Sequence, residues 1–157
     1  VPTNARASQP HDLKFPFGFR FLNMIWKWLF FTPGPFVPDA SKSQEINRGA
    51  YLIQALAHCS ECHTPRNFLG ASKRGRFLAG GRTPDDKGIP NITPTRLKKM
   101  SDSELIQYLQ TGLNSDGDVA AEPMSEVITN TLAKLTTPDI SALVAYLRTV
   151  LPQPEEK

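Results

Sequence analysis

The sequence predicts an all-α fold, and three observations carry that prediction. Ile140, Leu143, Val144 and Leu147 recur at helical spacing near the C-terminus. Ser101-Asp102-Ser103-Glu104 is a capping box, a helix entry in which hydroxyl and carboxylate satisfy orphan amides reciprocally. No convincing pair of alternating strands accompanies them. At 157 residues the chain suits one domain with an appendage. The expected division is an N-terminal extension over 1–40, a main domain over 41–151 and a tail over 152–157.

Residues 1–14 are polar, lack apolar periodicity and read as a flexible or extended lead-in. Residues 15–31 change character abruptly. Pro16 and Gly18 oppose a helix, so one is expected from Phe19 to Phe31. Arg20, Asn23 and Lys27 form a narrow polar strip on it, and everything around that strip is apolar, including Trp26 and Trp28. A single surface helix has a wider polar face, and the stretch is short and interrupted for a membrane span. Three fates stay open: burial against the domain, contact with a partner subunit, or monotopic membrane contact. Met24 reads as core filler. Pro33, Pro35 and Pro38 then make a rigid connector.

The second helix is expected to start near Ser43 and to run through Gly49 and Leu56 into Cys59-Ser60-Glu61-Cys62-His63. Residues 64–100 are rich in Gly, Pro, Arg and Lys; so long a loop is usually functional, and here it would wrap a bound group. The third helix begins at the capping box, presents Leu105, Ile106 and Leu109, and stops at Gly112. A loop with Gly117 leads to Pro123-Met124 and a short helix over about 125–132. The last helix is expected to be capped by Thr137, with Pro138 at its first position, and to reach about Val150.

The chemistry resides in Cys59-Ser60-Glu61-Cys62-His63, which holds the chain's two cysteines. C-x-x-C-H is the signal for covalent haem attachment. Two thiols on one helical turn can each add across a vinyl group, and the adjacent imidazole then serves as proximal iron ligand. The rivals are a zinc half-site and a thioredoxin-like pair. Zinc needs about four ligands, and only His58 and His11 remain to complete the set. A thioredoxin pair expects a βαβ setting that this sequence lacks. Haem c, one group through Cys59 and Cys62, is the reading that the rest of the chain supports.

A sixth ligand decides between electron transfer and an open site. Met24 is assigned to a core, and Met100 suits a hydrophobic staple before a capped helix. Met124, after Pro123 and between two helices, can project a thioether without interrupting a helix, and is the expected ligand beside His63. The second imidazole nitrogen needs a partner. The Pro90 carbonyl, in Gly88-Ile89-Pro90-Asn91-Ile92-Thr93-Pro94, is the expected acceptor; the alternative is an ordinary turn.

Charge is uneven: residues 1–99 carry net +9 and residues 100–157 carry −6. Lys73, Arg74 and Arg76, or Arg96, Lys98 and Lys99, are either solvated loop surface or a basic face that steers a redox partner. No aromatic-interleaved basic motif suggests nucleic acid, and no Ser, His and carboxylate triad suggests catalysis. The chain begins at Val1 without an initiator Met or a signal-type apolar core, which reads as a processed protein or a portion of a longer one.

Asn47-Arg48-Gly49-Ala50-Tyr51-Leu52, His58 to Asn67, Gly80-Gly81, Pro90 to Pro94, Pro123-Met124 and Ala145-Tyr146-Leu147-Arg148 stand in the order seen in one family. On these stretches, which span about 43–151, the chain resembles class I c-type cytochromes, in particular the haem domains of cytochrome subunits of bacterial alcohol, aldehyde and sugar-acid dehydrogenases. The resemblance implies a class I cytochrome c fold with long haem-wrapping loops. It also implies thioethers at Cys59 and Cys62, iron ligation by His63 and Met124, and a Pro90 carbonyl accepting from His63. Gly49 and Tyr146 match the glycine and aromatic at which first and last helices cross. The segment from Phe15 to Phe31 is similar to one that connects haem domains in those subunits.

The expected function is electron transfer rather than catalysis, as the accepting subunit or partner of a periplasmic dehydrogenase that feeds the respiratory chain. The expected location is the periplasm or the extracytoplasmic face of the bacterial inner membrane, where haem c is attached. A redox protein is the expected partner, with subunit or peripheral membrane contact through Phe19–Phe31. The chain departs from those subunits in carrying one C-x-x-C-H and no evident C-terminal anchor. The alternatives are one domain of a multi-haem subunit, or a haem site open to peroxide or gas.

Overall fold

The computed structural model describes residues 9–83 and 85–155. The chain forms two units, 1–35 and 36–157, and each is described by itself. The start of the lead-in (1–8) and the end of the tail (156–157) lie outside the described residues.

In the first unit, helix α1 runs Arg20–Phe30, and no residue in it is buried. Met24 is 70% exposed, so it fills no core and the expectation for it is corrected. No residue of α1 is buried, so there is no core here for Met24 to fill. Phe15 meets Phe19 edge-on at 5.9 Å, and Trp26 meets Phe30 at 5.5 Å.

The second unit is helical around one apolar core. Helix α2 (Gln44–Tyr51) is capped by the Ser43 side chain, which accepts from the Ile46 amide. The expected continuous helix does not follow. The chain widens into a π-helix over Leu52–Leu56, closed by Ala57 N–H donating to Leu52 O at 2.7 Å. His58 then turns left-handed, with φ 52°, before helix α3 (Cys59–His63). This break re-aims the motif relative to α2, which an unbroken helix would not do.

Residues 64–100 are less bare than expected. A two-residue antiparallel pair, β1 (Gly81–Arg82) with β2 (Gly88–Ile89), joins Gly81 to Ile89 and Arg82 to Gly88. Strands this short leave no alternation in the sequence to read. Helix α4 covers Pro94–Leu97. Helix α5 (Asp102–Thr111) has the predicted capping box and ends on Gly112, left-handed at φ 76°. Helix α6 is Met124–Asn130, followed by a 3₁₀ turn over Leu132–Lys134. Helix α7 is Thr137–Thr149; its cap is Thr136, one residue earlier than expected, so Pro138 takes the second helical position.

Helix α7 contributes Ile140, Leu143, Val144 and Leu147 to the core, against Leu52 and Ile53 of the π-helix, Leu78, Leu105, Leu109 and Leu132. Helices α2 and α7 cross where Gly49 lies. A Cβ there would overlap the Ala142 carbonyl and stand 2.7 Å from Tyr146 Cβ. The absence of a side chain therefore sets how close the helices come. Gln54 donates to the Tyr146 hydroxyl at 2.7 Å across the same junction.

Candidate functional site

Three residues apart on α3, Cys59 is half-buried and Cys62 exposed, and both are free thiols. Burial pushes the Cys59 thiol up to about 11, so it is protonated at neutral pH. His63 closes the helix and is buried, 8% exposed. Its Nδ1 lies 2.8 Å from the Pro90 carbonyl oxygen. A carbonyl can only accept, so Nδ1 carries the proton and Nε2 keeps its lone pair. Burial lowers the imidazole's proton affinity, against a smaller opposing effect from Pro90, which favours the neutral, ligating form.

The Pro90 carbonyl is itself held in place. Asn91 Oδ1 accepts from the Thr93 amide at 2.8 Å and from its hydroxyl at 2.7 Å. Asn91 Nδ2 donates to Gln153 O, and the Gln153 amide returns to Thr93 Oγ1. Both Asn91 and Thr93 are buried, so this closed network stiffens the turn. Nearby, Gly80 N–H donates to His63 O at 2.8 Å, and Leu78 N–H donates to Thr64 Oγ1 at 3.1 Å. Gly81 passes so near α3 that a Cβ would stand 2.7 Å from Cys62 O.

Met124 is the first residue of α6 rather than a loop residue. Met124, Met100 and Cys59 are all partly buried against the same core. Met100 is tied down by its main chain: Arg148 Nη2 donates to Met100 O and Nη1 to Leu97 O, each at 2.7 Å, while Nε meets Asp102 at 2.8 Å. His11 and His58 are exposed. Among the described residues no group of three or more His, Cys, Asp or Glu is placed to hold a metal ion.

The donor set fits a haem: two thiols on one turn, a neutral buried imidazole with a free lone pair, and a thioether on the same apolar core. Two buried polar atoms, Arg76 Nε and Ser125 Oγ, have no hydrogen-bond partner among the described residues. Each is a donor that a carboxylate of a bound group would satisfy. Sequence reasoning placed Asn91, Thr93 and Arg148 in motifs but gave them no bonding role, and it did not single out Gln153. The bonds of Asn91 and Thr93 to Gln153 and of Arg148 to Leu97 join residues some 50 to 60 positions apart, which no local pattern marks.

Against known proteins, residues 46–151 match a family model described as cytochrome c. The chain is 42% identical over 151 residues to a protein of Cereibacter sphaeroides named "Diheme cytochrome c-type", covering 96% of this chain and 50% of that one. It is 43% identical over 145 residues to "Fructose dehydrogenase cytochrome subunit" of Gluconobacter japonicus, covering 88% and 29%. It is 30% identical over 158 residues to "Gluconate 2-dehydrogenase cytochrome c subunit" of Pantoea cypripedii, covering 93% and 35%. The chain thus spans half or less of the length of these relatives.

Proposed function

Because this chain belongs to the cytochrome c family, we propose that it carries electrons from a dehydrogenase through one haem. It is an electron carrier and not itself an enzyme, with covalent haem c as cofactor. When bound, haem c supplies a one-electron iron couple.

The remaining work belongs to side chains. Cys59 and Cys62 would hold the group by two thioethers. His63 would ligate through Nε2 while its Nδ1–H donates to Pro90. Met124 would supply a thioether ligand, which favours the reduced state and raises the potential. The observation that carries this reading is the buried imidazole, adjacent to Cys62, with Nδ1 committed to the Pro90 carbonyl at 2.8 Å. Asn91, Thr93 and Gln153 keep that carbonyl aimed, which fixes ring orientation during oxidation and reduction.

The donor is a dehydrogenase subunit and the acceptor a respiratory component, at the periplasmic or extracytoplasmic face of a bacterial inner membrane. The similarity to a protein named a fructose dehydrogenase cytochrome subunit supports this, as does the extracytoplasmic site of haem c attachment. The segment Phe19–Phe31 serves a contact outside its own unit, with a subunit or a membrane. The similarity to a protein named diheme favours a second reading, in which this domain works beside another haem domain.

Met124→Ala tests the ligand set. The wild-type ferric protein is expected to show the weak near-infrared band of methionine-to-iron ligation, and the variant to lose it and turn high-spin. A wild-type protein that is high-spin at rest contradicts the reading and favours an open site for peroxide or gas.

A further inference from the structure

Helix α1 carries an apolar stripe that nothing among the described residues of its unit covers. Phe21, Met24, Ile25, Trp28 and Leu29 fall at i, i+3, i+4, i+7 and i+8, the spacing of one helix face. Each is about half exposed or more, with Trp28 at 82%. Immediately before the helix, Phe15 and Phe17 are 85% and 71% exposed. Folding has organised this surface into one face without removing it from water.

We propose that this face docks on an anionic phospholipid surface, lying in the plane of the interface. Charge favours lipid over protein here. Residues 13–38 contain Lys14, Arg20 and Lys27 and no Asp or Glu. Such a segment complements a sheet of phosphates, and each cation near an anionic surface strengthens binding. Arg20, Asn23 and Lys27 form the polar strip away from the centre of the stripe, and the long stems of Arg20 and Lys27 let their charges reach the headgroups.

Length excludes spanning. The helix has 11 residues, or about 16 Å at 1.5 Å per residue, against a hydrocarbon core of about 30 Å. Among the described residues no helix is long and apolar enough to cross a membrane. The aromatic content supports an interfacial position, because Trp and neighbouring rings settle at headgroup depth. The proposal deepens the outward contact assigned above to Phe19–Phe31. It does not depend on which residues ligate the haem.

The test is sedimentation of full-length holo-protein with vesicles of phosphatidylcholine alone or with a minority of phosphatidylglycerol. Wild type is expected to bind the anionic vesicles roughly tenfold or more tighter than the neutral ones, with release by salt. Trp28→Glu/Leu29→Glu is expected to lower that binding roughly tenfold or more, with an unchanged visible spectrum. Both tryptophans of the chain lie in α1, so a blue shift of emission on binding reports this helix directly. Wild type that stays in the supernatant, or a double variant that sediments equally well, overturns the proposal. So does dimerisation through this face without vesicle binding, which would assign the face to a second copy. Failure of the haem reading would instead alter the visible spectrum and leave vesicle binding unmoved.

Discussion

The hydrogen bond from His63 to the Pro90 carbonyl decides which nitrogen faces the ligand site, so the imidazole's chemistry is set before any group binds. Glycine has a comparable role in packing. At Gly49 an added Cβ would overlap main-chain atoms of α7, including the Ala142 carbonyl, not the end of a flexible side chain. Relief therefore requires the helices to move apart. Gly49→Ala is expected to cost about 3 kcal/mol, the upper end for overpacking, read from guanidinium unfolding of the holo-protein at neutral pH. A loss below about 0.5 kcal/mol, the range of indifferent surface changes, would show that the crossing has slack. The glycine and its aromatic partner Tyr146 were legible in the sequence through the family pattern. Met24 was not, because a helix apolar on nearly every side looks the same in sequence whether it is covered or not.

At the level of elements, α2 and α7 are joined at their polar edge by Arg48 and Asp139, with Nε to Oδ1 at 2.7 Å. The Arg48 guanidinium holds the Asp139 carboxyl below its ordinary range, with a smaller contribution from Thr136. A carboxyl lowered in the folded state adds stability above its unfolded pKa and loses it as pH falls through the folded value. The wild-type denaturation midpoint is expected to fall more steeply than that of Arg48→Met once pH drops below about 4. Parallel curves would show that the pair contributes nothing to acid stability, as for many exposed ion pairs. Helices with local punctuation were readable: Ser43, the Ser101–Glu104 box, Gly112 and the stripe of α7 each announce themselves within a turn. The π-helix at Leu52–Leu56, the left-handed His58 and the β1–β2 pair have no such mark.

For the whole molecule, the second unit is helical, and its stretch 64–100 is tied to α3 where Gly80 N–H donates to His63 O and to the C-terminal segment where Gln153 N–H donates to Thr93 Oγ1. Its apolar core is bordered by the half-buried Cys59 and Met124. Beside that core the chain carries one C-x-x-C-H, the attachment motif on which the proposed haem c rests. The most direct measurement is the intact mass of the denatured protein from a maturation-competent host, taken before and after acidified acetone. The account predicts the mass of the polypeptide plus one haem, with the pigment remaining on the chain through the extraction. A mass equal to the bare polypeptide, or pigment passing into the acetone, would contradict it.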